Sequence, residues 1–102
     1  MAVLMTLRIT GDPARIEQAL NSDPERLKAI AARSKEKGAL HHCFYANADG
    51  SGAIVVDEWE TAKGFQQFFG ESPDIGAMMA EAGVTSEPEV AFWHALDTPD
   101  RF

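Results

Sequence analysis

The residues best suited to proton transfer are two histidines and one aspartate, each set among apolar or aromatic neighbours. His42 and Asp57 lie in the middle of the chain, and His94 lies near its end. An imidazole exchanges protons near neutral pH, and a carboxylate withdrawn from water becomes a better proton acceptor. We therefore predict His42, Asp57 and His94 as the candidate catalytic residues. A structural hydrogen bond in a core or an interface is the alternative for each of them.

The adjacent residues His41 and His42 do not predict a metal site. Consecutive residues of a strand point to opposite faces, so at most one of the two can line a given cavity. The single cysteine, Cys43, lacks a CxxC or Cys/His metal spacing and has no clear activating base. We expect neither a bound metal nor a nucleophilic cysteine.

Aromatic residues close to these candidates could hold a planar ligand. Asp57 shares one face of its predicted strand with Trp59. The candidate substrate-binding residues are Tyr45, Trp59, Phe65 and Phe68, because large aromatic rings form flat walls on which a planar compound stacks. The same residues also suit a hydrophobic core, and the sequence leaves both interpretations open.

The apolar patterns place these residues on a few short elements. Asp12-Pro13 begins a first helix, and the capping-box spacing of Ser22 and Glu25 begins a longer one. The predicted elements are a strand over 3–9, a helix over 13–20, a helix from the capping signal to about 37, strands over 39–47 and 53–60, helical pieces over 61–70 and 72–82, and a strand over 90–96.

The element order, βαββαβ, predicts a ferredoxin-like α+β fold. Such a fold has a four-stranded antiparallel sheet with its helices on one face. The predicted strands carry large apolar residues on both faces, although one face has no helix to cover it. The simplest cover is a second copy of the chain, so we predict a homodimer whose sheets pack together.

Composition limits the size and the partners of this protein. The 102 residues, of which 45% are hydrophobic, predict a single domain over 1–102 with a frayed tail over 97–102. The net charge of −7 opposes binding to nucleic acid. No leader or membrane span is evident, and we expect a cytoplasmic protein. Asp49-Gly50-Ser51-Gly52 suits a hairpin turn rather than a phosphate loop, so no nucleotide cofactor is expected.

The segment VVDEWETAKGFQQFFGESP, residues 55–73, resembles a motif of the dimeric α/β-barrel superfamily. That superfamily includes antibiotic-biosynthesis-type monooxygenases, haem-degrading monooxygenases and small stress-induced proteins, and the resemblance extends over residues 3–96. It implies the ferredoxin-like fold, the dimer and the possibility of oxygenase activity. The helix over 61–70 contains no histidine, unlike that of many oxygenases of the superfamily, and the first strand contains no asparagine. These departures disfavour haem degradation.

Two functions follow from the residues and the resemblance together. The first is a small homodimer that binds an apolar, aromatic metabolite and, if it is an enzyme, works without a cofactor as a monooxygenase. Its base would be His42, Asp57 or His94, and Trp59 and Tyr45 would hold the substrate. The alternative is a non-catalytic ligand-binding or stress-related dimeric module. Convergence of the three candidate bases on one cavity would favour the enzyme.

Overall fold

The computed structural model describes residues 2–102, which contain four strands and four helices. Along the chain these elements are β1 (Val3–Thr10), α1 (Pro13–Asn21), α2 (Pro24–Glu36), β2 (Ala39–Ala46), β3 (Gly52–Trp59), α3 (Ala62–Gly70), α4 (Pro73–Glu81) and β4 (Glu89–Trp93). The predicted βαββαβ order is confirmed, with two consecutive helices in each helical unit. None of the helices in this part of the chain is long and apolar enough to cross a membrane.

The strands form one antiparallel sheet in the order β2-β3-β1-β4. In β1, Val3, Met5, Leu7 and Ile9 are buried, whereas the residues between them are exposed or half-buried. This alternation gives the sheet one apolar inner face, on which the four helices pack to form the core. The predicted ferredoxin-like α+β fold is therefore confirmed.

The start of α2 differs from the predicted capping box. Asp23, and not Ser22, caps the helix, because its carboxylate accepts a hydrogen bond of 3.2 Å from the backbone N–H of Arg26. Pro24 occupies the first helical position, which fixes the cap at the residue directly before it. The Ser22 hydroxyl instead donates to the carbonyl of Ala19, at the end of α1.

The last strand is shorter than predicted. β4 pairs only with β1, and the final pair joins Trp93 to Leu4. Pairing stops there because β1 itself begins at Val3, one residue earlier in the chain. The prediction of a strand reaching Leu96 is thus wrong at its end, and His94 lies outside the sheet.

The outer face of the sheet carries no helix and presents apolar side chains to solvent. Leu4 and Trp93 lie side by side on this face and are 40% and 54% exposed. Tyr45, on β2, is 51% exposed. The indole Nε1 of Trp93 donates a hydrogen bond of 2.8 Å to the hydroxyl of Thr6. The same face also carries the exposed Arg8–Glu89 ion pair, so its apolar surface covers part of the sheet.

Candidate functional site

The centre of the candidate site is the inner face of β3. Val55, Asp57 and Trp59 alternate along this strand and are all buried, with Asp57 only 5% exposed. A buried carboxylate in an apolar layer is costly unless its oxygens are hydrogen-bonded. The neighbours of Asp57 therefore decide what this side chain can do.

A bulge in β2 determines which histidine meets Asp57. The pairing of β2 with β3 shifts by one residue between Ala39 and His41, so that His41 faces Glu58 and His42 faces Asp57. Directly opposed residues on antiparallel strands point to the same face of the sheet. In an unbroken register, His41 would stand opposite Asp57. The extra residue, Leu40, thus brings His42 to the inner face.

His42, Asp57 and Trp59 form a continuous chain of hydrogen bonds. The Nδ1 atom of His42 lies 2.7 Å from Oδ1 of Asp57, and the indole Nε1 of Trp59 donates to Oδ2 at 3.0 Å. A carboxylate only accepts hydrogen bonds, so Nδ1 must carry the hydrogen of the imidazole. In the neutral ring, Nε2 then holds the free lone pair.

The second imidazole nitrogen is available to a ligand. Among residues 2–102, no protein group is hydrogen-bonded to Nε2 of His42, and 43% of the His42 side chain is exposed. The ring packs edge-on against Phe44, with 5.2 Å between the ring centroids. Asp57 and Phe44 thus fix the orientation of the imidazole, and the lone pair of Nε2 is not used by another described residue.

A cavity of about 250 Å³ adjoins this chain of hydrogen bonds, between the sheet and the helices α2, α3 and α4. Nearly all of its wall is apolar, and the exceptions are Ser34, His42 and Asp57. The remaining lining residues are Met5, Leu7, Leu27, Ile30, Ala31, Phe44, Val55, Phe65, Phe68, Phe69, Ile75, Met78 and Met79. Such a lining is typical of a site for a small apolar compound whose orientation is set by a few polar groups.

The aromatic part of this wall rests on Trp59. Phe65 meets the Trp59 ring edge-on, and Phe68 lies tilted against it, with centroid distances of 5.5 Å in both cases. Phe65 also stacks on Phe69. The hydroxyl of Thr61 caps α3 and so fixes the helix that carries these three phenylalanines. Trp59 itself is fully buried behind the wall.

Among residues 2–102, no lysine or arginine lines the cavity, and Asp57 and His42 are its only ionisable lining residues. Arg33 pairs with Asp74 at 2.8 Å, and Arg26 pairs with Glu81 at 3.0 Å, so two ion pairs join α2 to α4. The Arg33 guanidinium holds the pKa of the Asp74 carboxyl below its ordinary value. Hydrogen bonding to Arg26 likewise lowers the pKa of Glu81. These pairs hold α2 against α4, and none of their four side chains lines the cavity.

The structure brings five of the predicted site residues together and leaves two apart. His42, Asp57, Trp59, Phe65 and Phe68 form or support the cavity wall.

Tyr45 and His94 lie elsewhere. Tyr45 shares the outer face of β2 with Cys43, and a hydrogen bond with that thiol raises the pKa of the Tyr45 hydroxyl. His94 is exposed beyond the end of β4. The three candidate bases therefore do not all converge, but two of them meet directly.

Ser34 is a polar wall residue that the sequence did not single out as functional. It falls on the same helical stripe as Leu27, Ile30 and Ala31, which is the pattern of a core-facing helix. This position of a hydroxyl could have identified Ser34 from the sequence, because polar side chains are uncommon among the core-facing residues of a helix. No group of three or more His, Cys, Asp or Glu side chains within residues 2–102 is placed to hold a metal ion.

Comparisons with known proteins agree with this architecture. No family model matches the sequence, and no curated protein matches it. SnoaB, a cofactor-independent oxygenase from Streptomyces nogalater, superposes with a TM-score of 0.64 at 18% identity, covering 98% of each chain. The chain shares the fold of that protein.

Two further structures share this ferredoxin-like fold. The ActVA-Orf6 monooxygenase of Streptomyces coelicolor, solved with nanaomycin D, gives a TM-score of 0.65 at 16% identity, over 95% of this chain and 88% of that one. A dimeric ferredoxin-like protein from an uncultured marine organism gives 0.67 at 16% identity, over 99% and 93% of the chains. At these identities the comparisons establish the fold of the chain, and the predicted resemblance is confirmed at that level.

Proposed function

We propose that this protein is a cofactor-independent monooxygenase that oxidises a small hydroxylated aromatic compound. The observation that carries the proposal is the 2.7 Å contact between His42 and Asp57 at the wall of an apolar cavity. This contact leaves Nε2 of His42 as a base directed by a buried carboxylate. The fold shared with SnoaB, a cofactor-independent oxygenase, supports the same conclusion.

The size and the polarity of the cavity restrict the substrate. An apolar protein cavity of about 150 Å³ takes up benzene. A volume of about 250 Å³ therefore suits a compound of about two fused rings. Because no cation lines the wall, the substrate enters as a neutral molecule rather than as a carboxylate.

The reaction begins with proton transfer to His42. Nε2 accepts the phenolic proton, and the phenolate gives one electron to O₂. The superoxide then bonds to the ring carbon para to the oxygen, and the His42 imidazolium protonates the resulting peroxide. Removal of the para hydrogen as a proton by His42 breaks the O–O bond and forms a second ring carbonyl. The departing hydroxide takes that proton from His42, so one phenol and one O₂ give one quinone and one water.

Asp57 and Trp59 act as positioning residues in this scheme. Asp57 keeps the hydrogen of the imidazole on Nδ1 and stabilises the imidazolium that forms on proton transfer. Trp59 occupies the second carboxylate oxygen and thereby holds the carboxylate in place. Phe65 and Phe68 supply the flat wall against which the substrate ring lies.

The proposal includes a homodimer formed through the outer face of the sheet. The exposed side chains of Leu4, Tyr45 and Trp93 give that face the apolar surface that a two-fold interface needs. The dimeric marine protein with the same fold supports this assembly. The interface lies on the sheet face opposite to the cavity, so that each subunit retains its own site.

The decisive experiment measures oxygen uptake with 1-naphthol as the probe, combined with ¹⁸O₂ labelling. The expected products are 1,4-naphthoquinone with one ¹⁸O atom and labelled water. His42→Gln should lower the rate by a factor between about 10² and 10⁴, because glutamine keeps a polar side chain but cannot accept the proton. His41→Gln is the matched control, since His41 faces Glu58 on the other side of the strand. Naphthol binding with no oxygen uptake by the unmodified protein would instead favour the non-catalytic module.

A further inference from the structure

The polar residues of the cavity wall are Ser34, His42 and Asp57. His42 and Asp57 are hydrogen-bonded to each other, whereas Ser34 is not paired with a charged side chain of residues 2–102. Its hydroxyl donates a hydrogen bond of 2.7 Å to the carbonyl of Ala31, one turn earlier in α2. A serine hydroxyl has one hydrogen and two lone pairs, so the donor is used and the lone pairs are free. Toward the cavity, Ser34 therefore acts as a hydrogen-bond acceptor.

The other polar atoms of the cavity wall are also hydrogen-bond acceptors. Both oxygens of Asp57 already accept hydrogen bonds, from His42 and from Trp59. The remaining polar atom of the site is Nε2 of His42, which is an acceptor when the hydrogen lies on Nδ1. A ligand in the cavity thus meets only acceptors among the lining side chains, namely Nε2 of His42, Oγ of Ser34 and the remaining lone pairs of the Asp57 carboxylate.

We infer that Ser34 is a specificity-determining residue that makes the cavity select aromatic compounds with two hydrogen-bond donors over those with acceptors only. This inference rests on the proposed use of the cavity as the substrate site and names the substrate class for it. One ligand hydroxyl is bound by His42 and gives up the reacting proton. A second hydroxyl or N–H group donates to Ser34 and fixes the ring in the plane of the wall.

A wall that contains only hydrogen-bond acceptors also binds the substrate more tightly than the product. A quinone carries carbonyl oxygens and no hydroxyl, so it offers acceptors to a wall that consists of acceptors. Polar groups that lose water without finding a partner weaken binding. The hydroxylated compound is therefore retained by the cavity, and the quinone that forms from it is released.

The test is a binding measurement by titration calorimetry, without any need for turnover. The probes are 1-naphthol, with one donor, the 1,5-, 1,6-, 2,6- and 2,7-dihydroxynaphthalenes, with two, and 1,4-naphthoquinone, with none. At least one dihydroxy isomer should bind about fivefold or more tightly than 1-naphthol, and the quinone should bind more weakly than either. In Ser34→Ala, the advantage of that isomer should disappear while the affinity for 1-naphthol stays the same.

Ser22→Ala is the matched control. Ser22 makes the same type of bond, from its hydroxyl to the carbonyl of Ala19 three residues earlier, at an exposed helix end outside the cavity. Its substitution should leave all the affinities unchanged. Persistence of the dihydroxy advantage in Ser34→Ala, or quinone binding as tight as that of the best isomer, would overturn the inference. Since oxygen uptake is measured separately, a protein that selects donors but consumes no oxygen would overturn only the proposed reaction.

Discussion

His42 and Asp57 meet across two neighbouring strands, with 2.7 Å between Nδ1 and Oδ1, although fifteen positions separate them in the chain. The carboxylate is buried and the imidazole is half-exposed, so the pair extends from the core toward solvent. A base at such a boundary can take a proton from a bound compound and later exchange it with water. This relationship underlies the proposed chemistry.

Asp57→Asn tests whether the carboxylate sets the tautomer of His42. Trp59 requires an acceptor, so the amide oxygen will turn toward the indole and the amide nitrogen toward Nδ1 of His42. The imidazole hydrogen then moves to Nε2, and the base is lost. We expect kcat for 1-naphthol oxidation to fall by about 10² or more, with little change in the melting temperature. A variant with nearly full activity would contradict the role assigned to Asp57.

Ala31→Leu tests the cavity as the ligand site. Ala31 lies on the cavity side of α2, so the larger side chain fills space that a two-ring ligand needs. We expect 1-naphthol binding to be lost while thermal stability is kept or increased, because leucine is also a good helix former. Ala32→Leu, on the exposed side of the same helix, is the control and should bind normally. Equal binding by both variants would place the ligand elsewhere.

Asp74→Asn tests the ion pair that joins α4 to α2. The Arg33 guanidinium holds the pKa of Asp74 below its ordinary value of 3.8, so the ionised carboxylate stabilises the folded state above about pH 4. That contribution is lost as the pH falls through the lower, folded-state pKa. Both side chains are near 40% exposed, so we expect a loss of about 0.5–1 kcal/mol at pH 7.

The measurement for this pair is urea unfolding of Asp74→Asn and the unmodified protein at pH 7 and pH 2.5. The difference between their free energies of unfolding should shrink at the lower pH. Glu25→Gln removes the exposed Glu25–Lys28 pair and serves as the control, with an expected change close to zero. A difference between Asp74→Asn and the unmodified protein that is independent of pH would exclude the ion pair as its cause.

Trp93→Glu tests the outer face of the sheet as a dimer interface. If two sheets pack together through this face, a charge beside Leu4 is buried without a partner. We expect the mass measured by light scattering to change from two chains to one, with the fold retained. Ala32→Glu, on the exposed helical side, should stay dimeric. An unchanged mass for Trp93→Glu would remove this face from the assembly.

Much of the fold follows from local patterns in the sequence. Alternation in β1 predicts which of its residues are buried, and Pro13, Pro24 and Pro73 each stand at the start of a helix. The end of β4 was not predictable in this way, because Val90 to Leu96 alternates well beyond the point where β1 offers a partner. Strand length there depends on the neighbouring strand and not on the strand's own residues.

The candidate site shows a similar division. The period of a strand predicts that Asp57 and Trp59 share one face of β3. His42, predicted as a catalytic residue, lies on the inner face of β2. Their register does not follow, because the bulge at Leu40 decides whether His41 or His42 stands opposite Asp57. Tyr45 illustrates the same limit, since an aromatic residue near the site in sequence lies on the outer face of the sheet.

The three methionines of the cavity wall are exposed to oxidation if the proposed reaction takes place beside them. Met5, Met78 and Met79 place thioether groups around the space where the proposed hydroperoxide forms. A peroxide that dissociates before it loses water converts such a thioether into a sulfoxide, which is polar and chiral. Each such event makes the wall more hydrophilic and less able to hold an apolar ring. The loss of activity would then depend on the number of turnovers rather than on time. Its reversal would require a reductase that converts the sulfoxide back to the thioether.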